Sequence, residues 1–179
     1  MTSILKVSEI QDPTNSNTAM TIDSAGRVFT SARPSFNAGL ASAATISATT
    51  TKMNAVTTYY SSGDITTNVQ VGGGYDNTNY KYVVPVTGIY VLGAQVNVQV
   101  NNTAARYLSA MIHVNGSEVE NIKWVSSVND GTSYPDYDGA GGTTIAYLTA
   151  GMELELKSYC TETVTALTNT TFFYGYLLG

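Results

Sequence analysis

Apolar and polar residues alternate with a period of two along much of the chain, and no long Ala/Leu/Glu/Lys helical pattern interrupts them. Tyr90, Leu92, Ala94, Val96, Val98 and Val100 fall on one face of a strand whose other face carries Gln95, Asn97 and Gln99, as expected of a half-solvated antiparallel strand. Leu108, Ala110, Ile112 and Val114 alternate with Tyr107, Ser109, Met111 and His113, and that run stops at the turn pair Asn115-Gly116. Met152, Leu154 and Leu156 alternate with Glu153, Glu155 and Lys157. The final run, Phe172-Phe173-Tyr174-Gly175-Tyr176-Leu177-Leu178, is apolar on both faces. That predicts a central strand, or one covered by another subunit. Strands are expected near 36–41, 52–60, 65–71, 79–86, 88–100, 106–115, 118–127, 142–149, 152–160 and 170–178. This number of strands of this length suits an all-β, antiparallel double-sheet jelly roll.

Composition supports the same class. The 179 residues include 26 Thr and 13 Tyr, types that fit a pleated surface. Residues 1–35 differ from the rest, with turn clusters at Asp12-Pro13-Thr14-Asn15-Ser16-Asn17 and Ser24-Ala25-Gly26 and a boundary at Arg33-Pro34. The chain therefore divides into an extended N-terminal arm (1–35) and a jelly-roll domain (36–179). The arm is too small to hold a core of its own. Its apolar residues Ile4, Val7, Ile10, Met20, Ile22 and Val28 predict that it orders by docking on a partner or on neighbouring subunits.

Charge and reactive residues narrow the function. Eight Lys and Arg stand against 13 Asp and Glu, a net charge of −5, which argues against a binder of nucleic-acid phosphates. A single Cys160 rules out an internal disulfide framework or a Cys-rich zinc site, and a lone His113 makes a catalytic triad improbable. No run reaches the roughly 18 apolar residues of a membrane helix, and the N-terminal residues lack the apolar segment of a signal peptide. No cofactor is expected, and neither is an enzyme: Glu118/Glu120 and Glu153/Glu155 each point along one strand face, unlike a hydrolase pair.

The Gly/Asp-rich stretch from Ser126 to Gly142 reads as a long exposed loop. Its residues Asp130, Tyr134, Asp136, Tyr137 and Asp138 are candidates for recognition of a glycan or a protein. The carboxylates lack EF-hand spacing and read as solvated rather than as a calcium site. His113 and Cys160 read as structural, Gly72-Gly73-Gly74 as a turn, and Trp124 as either an interface anchor or a core residue.

The order of certain motifs resembles the complement-type globular head of the tumour necrosis factor superfamily. These are Gly74-Tyr75-Asp76, then Tyr80 through Pro85-Val86-Thr87-Gly88-Ile89-Tyr90, Val114-Asn115-Gly116, Leu148-Thr149-Ala150-Gly151-Met152, and Phe172 through Leu178. Met152 stands where such domains usually carry Asp. The resemblance implies a ten-strand jelly roll assembled as a tight homotrimer, with Tyr90, Phe172, Tyr174 and Tyr176 at the interface. The leader Ile4-Leu5-Lys6-Val7-Ser8-Glu9-Ile10-Gln11-Asp12, followed by Thr18 to Val28, is similar to that of tail-fibre-like and other structural proteins of marine bacteriophages.

Together the two resemblances imply a non-enzymatic virion surface protein made in the host cytoplasm, binding neither nucleic acid nor membrane. It would be a homotrimeric capsid decoration, knob or short appendage, joined to other virion proteins by its arm. The alternative they imply is the receptor-binding tip of a tail fibre that recognises a host surface glycan or protein.

Overall fold

A computed structural model describes residues 7–11, 14, 18–29, 33–57, 61–62, 65–66, 70–100, 106–128, 136–168 and 170–178. Ile4, Asp130 and Tyr134 lie outside the described residues. The N-terminal strands are β1 (Glu9–Gln11), β2 (Thr18–Ile22) and β3 (Val28–Phe29). After them come β4 (Ser35–Leu40), β5 (Ala44–Ile46), β6 (Thr51–Lys52), β7 (Ala55–Val56), β8 (Ser61–Ser62), β9 (Ile65–Thr66), β10 (Gln70–Val71), β11 (Tyr75–Asp76) and β12 (Lys81–Val83). The long strands follow: β13 (Gly88–Val100), β14 (Arg106–Val114), β15 (Lys123–Val128), β16 (Asp136–Leu148) and β17 (Glu153–Cys160), then β18 (Val164–Ala166) and β19 (Phe172–Leu177).

Two antiparallel sheets make the sandwich. In the first, the order is β10-β4-β19-β13-β18-β5, with β16 also paired to β13 and β7 to β4. In the second it is β11-β12-β17-β14-β15, with β6 beside β17. Strand β13 pairs with β16 along its whole length, Gly88 opposite Leu148 and Val100 opposite Asp136. Its other edge is taken by β19 and β18.

Alternation decides which residues enter the core. Tyr90, Leu92, Val96 and Val98 of β13 point inward with Leu108, Ala110 and Ile112 of β14 and Leu154 and Leu156 of β17, all fully buried. At one end Phe36 stacks on Tyr82 at 4.2 Å and meets Phe173 edge-on at 5.0 Å, offset geometries that aromatic rings prefer. Two of the phenols find carbonyls: Tyr75 donates to Ala55 at 2.6 Å and Tyr90 to Val86 at 2.8 Å. Burial pushes the phenols of Tyr75, Tyr82 and Tyr90 above their ordinary range, so all three stay protonated.

The final apolar strand is central, one of the two places expected of it, flanked by β4 and β13. Other expectations change. The run expected at 118–127 opens with a 3₁₀ turn at Glu120–Ile122 before β15 begins. Much of the supposed Ser126–Gly142 loop is strand, because β15 runs to Val128 and β16 starts at Asp136. The N-terminal arm also has regular structure: β1, β2 and β3 form a three-stranded sheet that, among the described residues, pairs with no strand of the sandwich.

Candidate interaction surface

The outer faces of the two sheets differ in chemistry. On the first sheet, register places outward residues in rows across β16, β13, β19 and β4. Tyr147 lies opposite Ile89; Ile145 opposite Val91, which is opposite Tyr176, which is opposite Ser35; Thr143 opposite Gly93, then Tyr174 and Asn37; Gly141 opposite Gln95, then Phe172 and Gly39. Beyond these come Asn97 opposite Gly139 and Gln99 opposite Tyr137. None of these residues is charged. Several are large and exposed: Ile145 is 65% and Tyr147 69% accessible, with Ile89 and Tyr176 each at 42%.

Glycines shape this face. Gly93 is buried although it points outward, because the Tyr174 ring lies where its Cβ would stand. The Tyr174 hydroxyl continues across β13 to Thr143 at 2.7 Å, so one side chain spans three strands. Gly139 and Gly141 make room for the amides of Asn97 and Gln95, which are themselves joined by a 2.6 Å bond from Gln95 Nε2 to Asn97 Oδ1. The face thus has an apolar half around Tyr147, Ile145 and Tyr176 and an amide half around Gln95, Asn97 and Gln99.

The outer face of the second sheet is charged and internally paired. Lys52 bonds Glu155, Lys81 bonds Glu153 at 2.6 Å, and Lys157 lies 3.3 Å from Glu155. At the neighbouring edge Lys123 bonds Glu118 at 2.5 Å. Burial works to raise the Glu155 carboxyl, but the hydrogen bonds and charges of Lys52 and Lys157 outweigh it and hold the group below its ordinary range. The hydrogen bond to Glu153 raises the Lys81 ammonium. Met111, opposite Lys123 and Lys157, is buried on this face, consistent with cover by their alkyl stems.

Of the residues expected at a trimer interface, Phe172, Tyr174 and Tyr176 do face outward on the first sheet. Tyr90 does not. Its alternation with Ile89 and Val91 sends it into the core of its own chain, where it is fully buried and hydrogen-bonded to Val86. Ile89, Val91, Ile145 and Tyr147 are the outward residues sequence reasoning missed. Ile145 and Tyr147 alternate with Thr144, Ala146 and Leu148 in the strand expected at 142–149, a period of two that carries the signal.

The proposed recognition loop is also revised. Asp136 is the first residue of β16. Tyr137 is outward and 63% accessible. Asp138 is not a free loop carboxylate: it pairs in register with the core residue Val98. It accepts the Gly139 amide at 2.7 Å and lies 3.4 Å from the Ser126 hydroxyl.

The arm residues Ile10, Met20, Ile22 and Val28 come together. Ile10 pairs with Met20 and Ile22 with Val28, so all four lie on one face of the small sheet. Val7 precedes it and is exposed.

The remaining candidates are structural. His113 is 7% accessible, with Nδ1 3.1 Å from the Gly116 carbonyl. Cys160 is fully buried, and that burial raises its thiol. Trp124 packs on the core over Gly142. Among the described residues there is no group of three His, Cys, Asp or Glu fit to hold a metal ion, and no helix is long and apolar enough to cross a membrane.

No protein-family model matches this sequence, and a search of curated proteins finds no match. Solved structures do match. A crystal structure of murine APRIL at pH 5.0 aligns with a TM-score of 0.55 and 15% identity, over 82% of this chain and 99% of that one. The structure of Eiger TNF from S. frugiperda aligns with a TM-score of 0.57 and 11% identity, over 82% of this chain and 94% of that one. The chain therefore has the tumour necrosis factor-like jelly-roll fold.

Proposed function

We propose that this chain is a non-enzymatic structural protein that works as a homotrimer, its sandwiches packed through the outer face of the first sheet. The observation that carries this reading is the contrast between the two faces. One sheet turns paired lysines and glutamates to solvent, while the other exposes Ile89, Ile145, Tyr147 and Tyr176 with no charge among them. A contiguous uncharged face with exposed aromatics marks a contact surface rather than a solvated one. Closed three-fold symmetry lets identical faces cover one another without leaving a growing edge. Light scattering tests it: a particle of 57 kDa, three times the 19.0 kDa chain, is expected, and a 19.0 kDa species refutes it.

The finer reading is a bacteriophage surface decoration, a capsid knob or short appendage on the virion, joined to the particle by residues 1–35. It takes the resemblance of the leader Ile4–Asp12 and Thr18–Val28 to virion structural proteins as part of the proposal, and what supports it is the β1–β3 sheet, which among the described residues pairs with no strand of the sandwich. Deleting residues 1–30 is expected to leave a folded trimer that no longer joins particles; continued incorporation would remove the arm from this role. A second reading, a fibre tip that binds a host surface glycan or protein, draws on the exposed ring of Tyr137. It predicts that purified protein binds host cells and that Tyr134→Ala with Tyr137→Ala abolishes the binding.

A further inference from the structure

The arm has its own unsatisfied face. Ile10, Met20, Ile22 and Val28 lie on one side of the β1–β3 sheet by register, with Val28 58% and Ile10 42% accessible. On the opposite side Phe29 lies in register with Thr21, and the polar groups beside that pair are bonded among themselves. Glu9, which pairs with Thr21, accepts hydrogen bonds from Gln11 at 2.7 Å and from the Thr18 hydroxyl. The turn to β3 is closed by Asp23, which accepts the Ala25 and Arg27 amides at 2.9 Å and pairs with the Arg27 guanidinium. Three strands of three, five and two residues with one bare apolar side do not make a unit that is stable alone.

We infer that the occupant of that face is the same face of the other two copies, so that three arms pack their apolar sides around the three-fold axis as a short stem below the sandwiches. This rests on the trimeric reading above. The position of the arm argues for copies of itself over a foreign partner. The chain enters the sandwich at Pro34, whose carbonyl accepts the Leu177 amide at 2.9 Å, while Leu178 bonds Ile89 at 2.7 Å. The arm therefore joins at the apolar end of the outer face, beside Ile89 and Tyr176. Phe29 precedes Pro34 by five residues, a reach of at most about 18 Å.

Sandwiches joined through that face thus hold three identical apolar sheets within one short tether of their interface. Tethering at that distance raises the effective concentration of like faces to the millimolar range, above that of an outside partner. Closed symmetry then buries Met20 and Ile22, on the central strand, nearest the axis. The Thr21 side and the Asp23–Arg27 turn are left outward for the particle.

The test is cysteine cross-linking in the full chain, where the native Cys160 is sealed in the core. Met20→Cys and Ile22→Cys are compared with Thr21→Cys, each sized by light scattering before mild oxidation. The expected result is a 57 kDa particle for all three, three times 19.0 kDa. On a non-reducing gel, covalent dimers should then form at least tenfold faster for the two apolar-face variants than for Thr21→Cys. A trimer in which Met20→Cys and Ile22→Cys link no faster than Thr21→Cys overturns the stem and leaves the sandwich trimer standing. A 19.0 kDa species overturns both.

Discussion

Replacing Ile145 by Asp separates the stability of one chain from that of the assembly. The Ile145 side chain is already 65% accessible in the single chain, so an aspartate there loses little burial. Its cost to the fold is the strand preference of a β-branched residue, about 1 kcal/mol or less. In a trimer packed through this face the same position is enclosed. Full burial of an isoleucine is worth roughly 1.5–3 kcal/mol, and about two-thirds of that is still to be gained at the interface. Its loss removes about 1–2 kcal/mol per subunit, and an unpaired carboxylate taken out of water adds several kcal/mol more. Since 1.4 kcal/mol is a factor of ten in affinity, each contact weakens by at least about a thousandfold.

Val125→Asp supplies the matched control. Val125 is 49% accessible and in register with Ser109 on the charged sheet, so it carries the same strand penalty without the interface. At micromolar protein, light scattering should find Ile145→Asp at 19.0 kDa and Val125→Asp at 57 kDa, three times 19.0 kDa, with both variants folded by circular dichroism. If Ile145→Asp stays trimeric, or if Val125→Asp falls apart as readily, the assignment of the face is wrong.

Three further outcomes follow from side-chain geometry. Gly142→Ala sets a Cβ inside the Trp124 ring, against Cδ1 and Nε1, and should cost about 1–3 kcal/mol of chain stability as overpacking does, read as a fall in Tm; an unchanged Tm contradicts the packing. Gly93→Ala displaces the far end of the outward Tyr174 ring, whose hydroxyl bonds Thr143, so it should weaken the trimer more than the fold. Light scattering on dilution against a melt reads that difference, and equal losses would count against it. Glu155→Gln tests the ion pairs of the second sheet. A carboxyl held below its ordinary value near 4.5 stabilises the fold fully above that value and loses its contribution as pH falls through the lowered one. The deficit of the variant, at most about 1 kcal/mol for a partly screened pair, should therefore be present at pH 7 and shrink as pH falls below the ordinary carboxylate range; a deficit independent of pH would exclude the charge as its cause.

The long core strands were legible because a period of two survives any tertiary context in which one face is buried. Residues 88–100 and 106–114 match their expected strands almost to the residue, and Asn115-Gly116 takes positive φ at both positions, as a tight hairpin turn requires. Residues 136–142 were not legible. Asp138, Gly139, Gly141 and Gly142 carry the local chemistry of a loop, yet each glycine sits where a neighbour's side chain crosses the strand: Asn97, Gln95 and Trp124. The cause lies on other strands, so no reading confined to that segment would find it. Tyr90 failed differently. The family resemblance implied an interface for it, but its parity with Leu92 and Ala94 already assigned it to the core. Alternation was the better guide, and applied to 143–147 it also yields Ile145 and Tyr147.

A sheet face of this kind is a hazard unless something ends it. Open apolar faces and long strand edges recruit further copies without limit, and β16 offers both, with thirteen residues, its two charges Asp136 and Asp138 confined to its start, and Ile145 and Tyr147 on its outward side. The amide half of the face works against unlimited stacking. Gln95 and Asn97 are held over Gly139 and Gly141, so two faces that slide in register would press amides onto the apolar residues of a neighbour and leave their donors unpaired, at about 1–3 kcal/mol each. A rotated arrangement that sets apolar half against apolar half avoids that loss. The division of the face into an aromatic end beside Pro34 and an amide end beside Tyr137 thus favours a closed ring over a stack, and in the proposed trimer it would put the three arms at the same end of that ring.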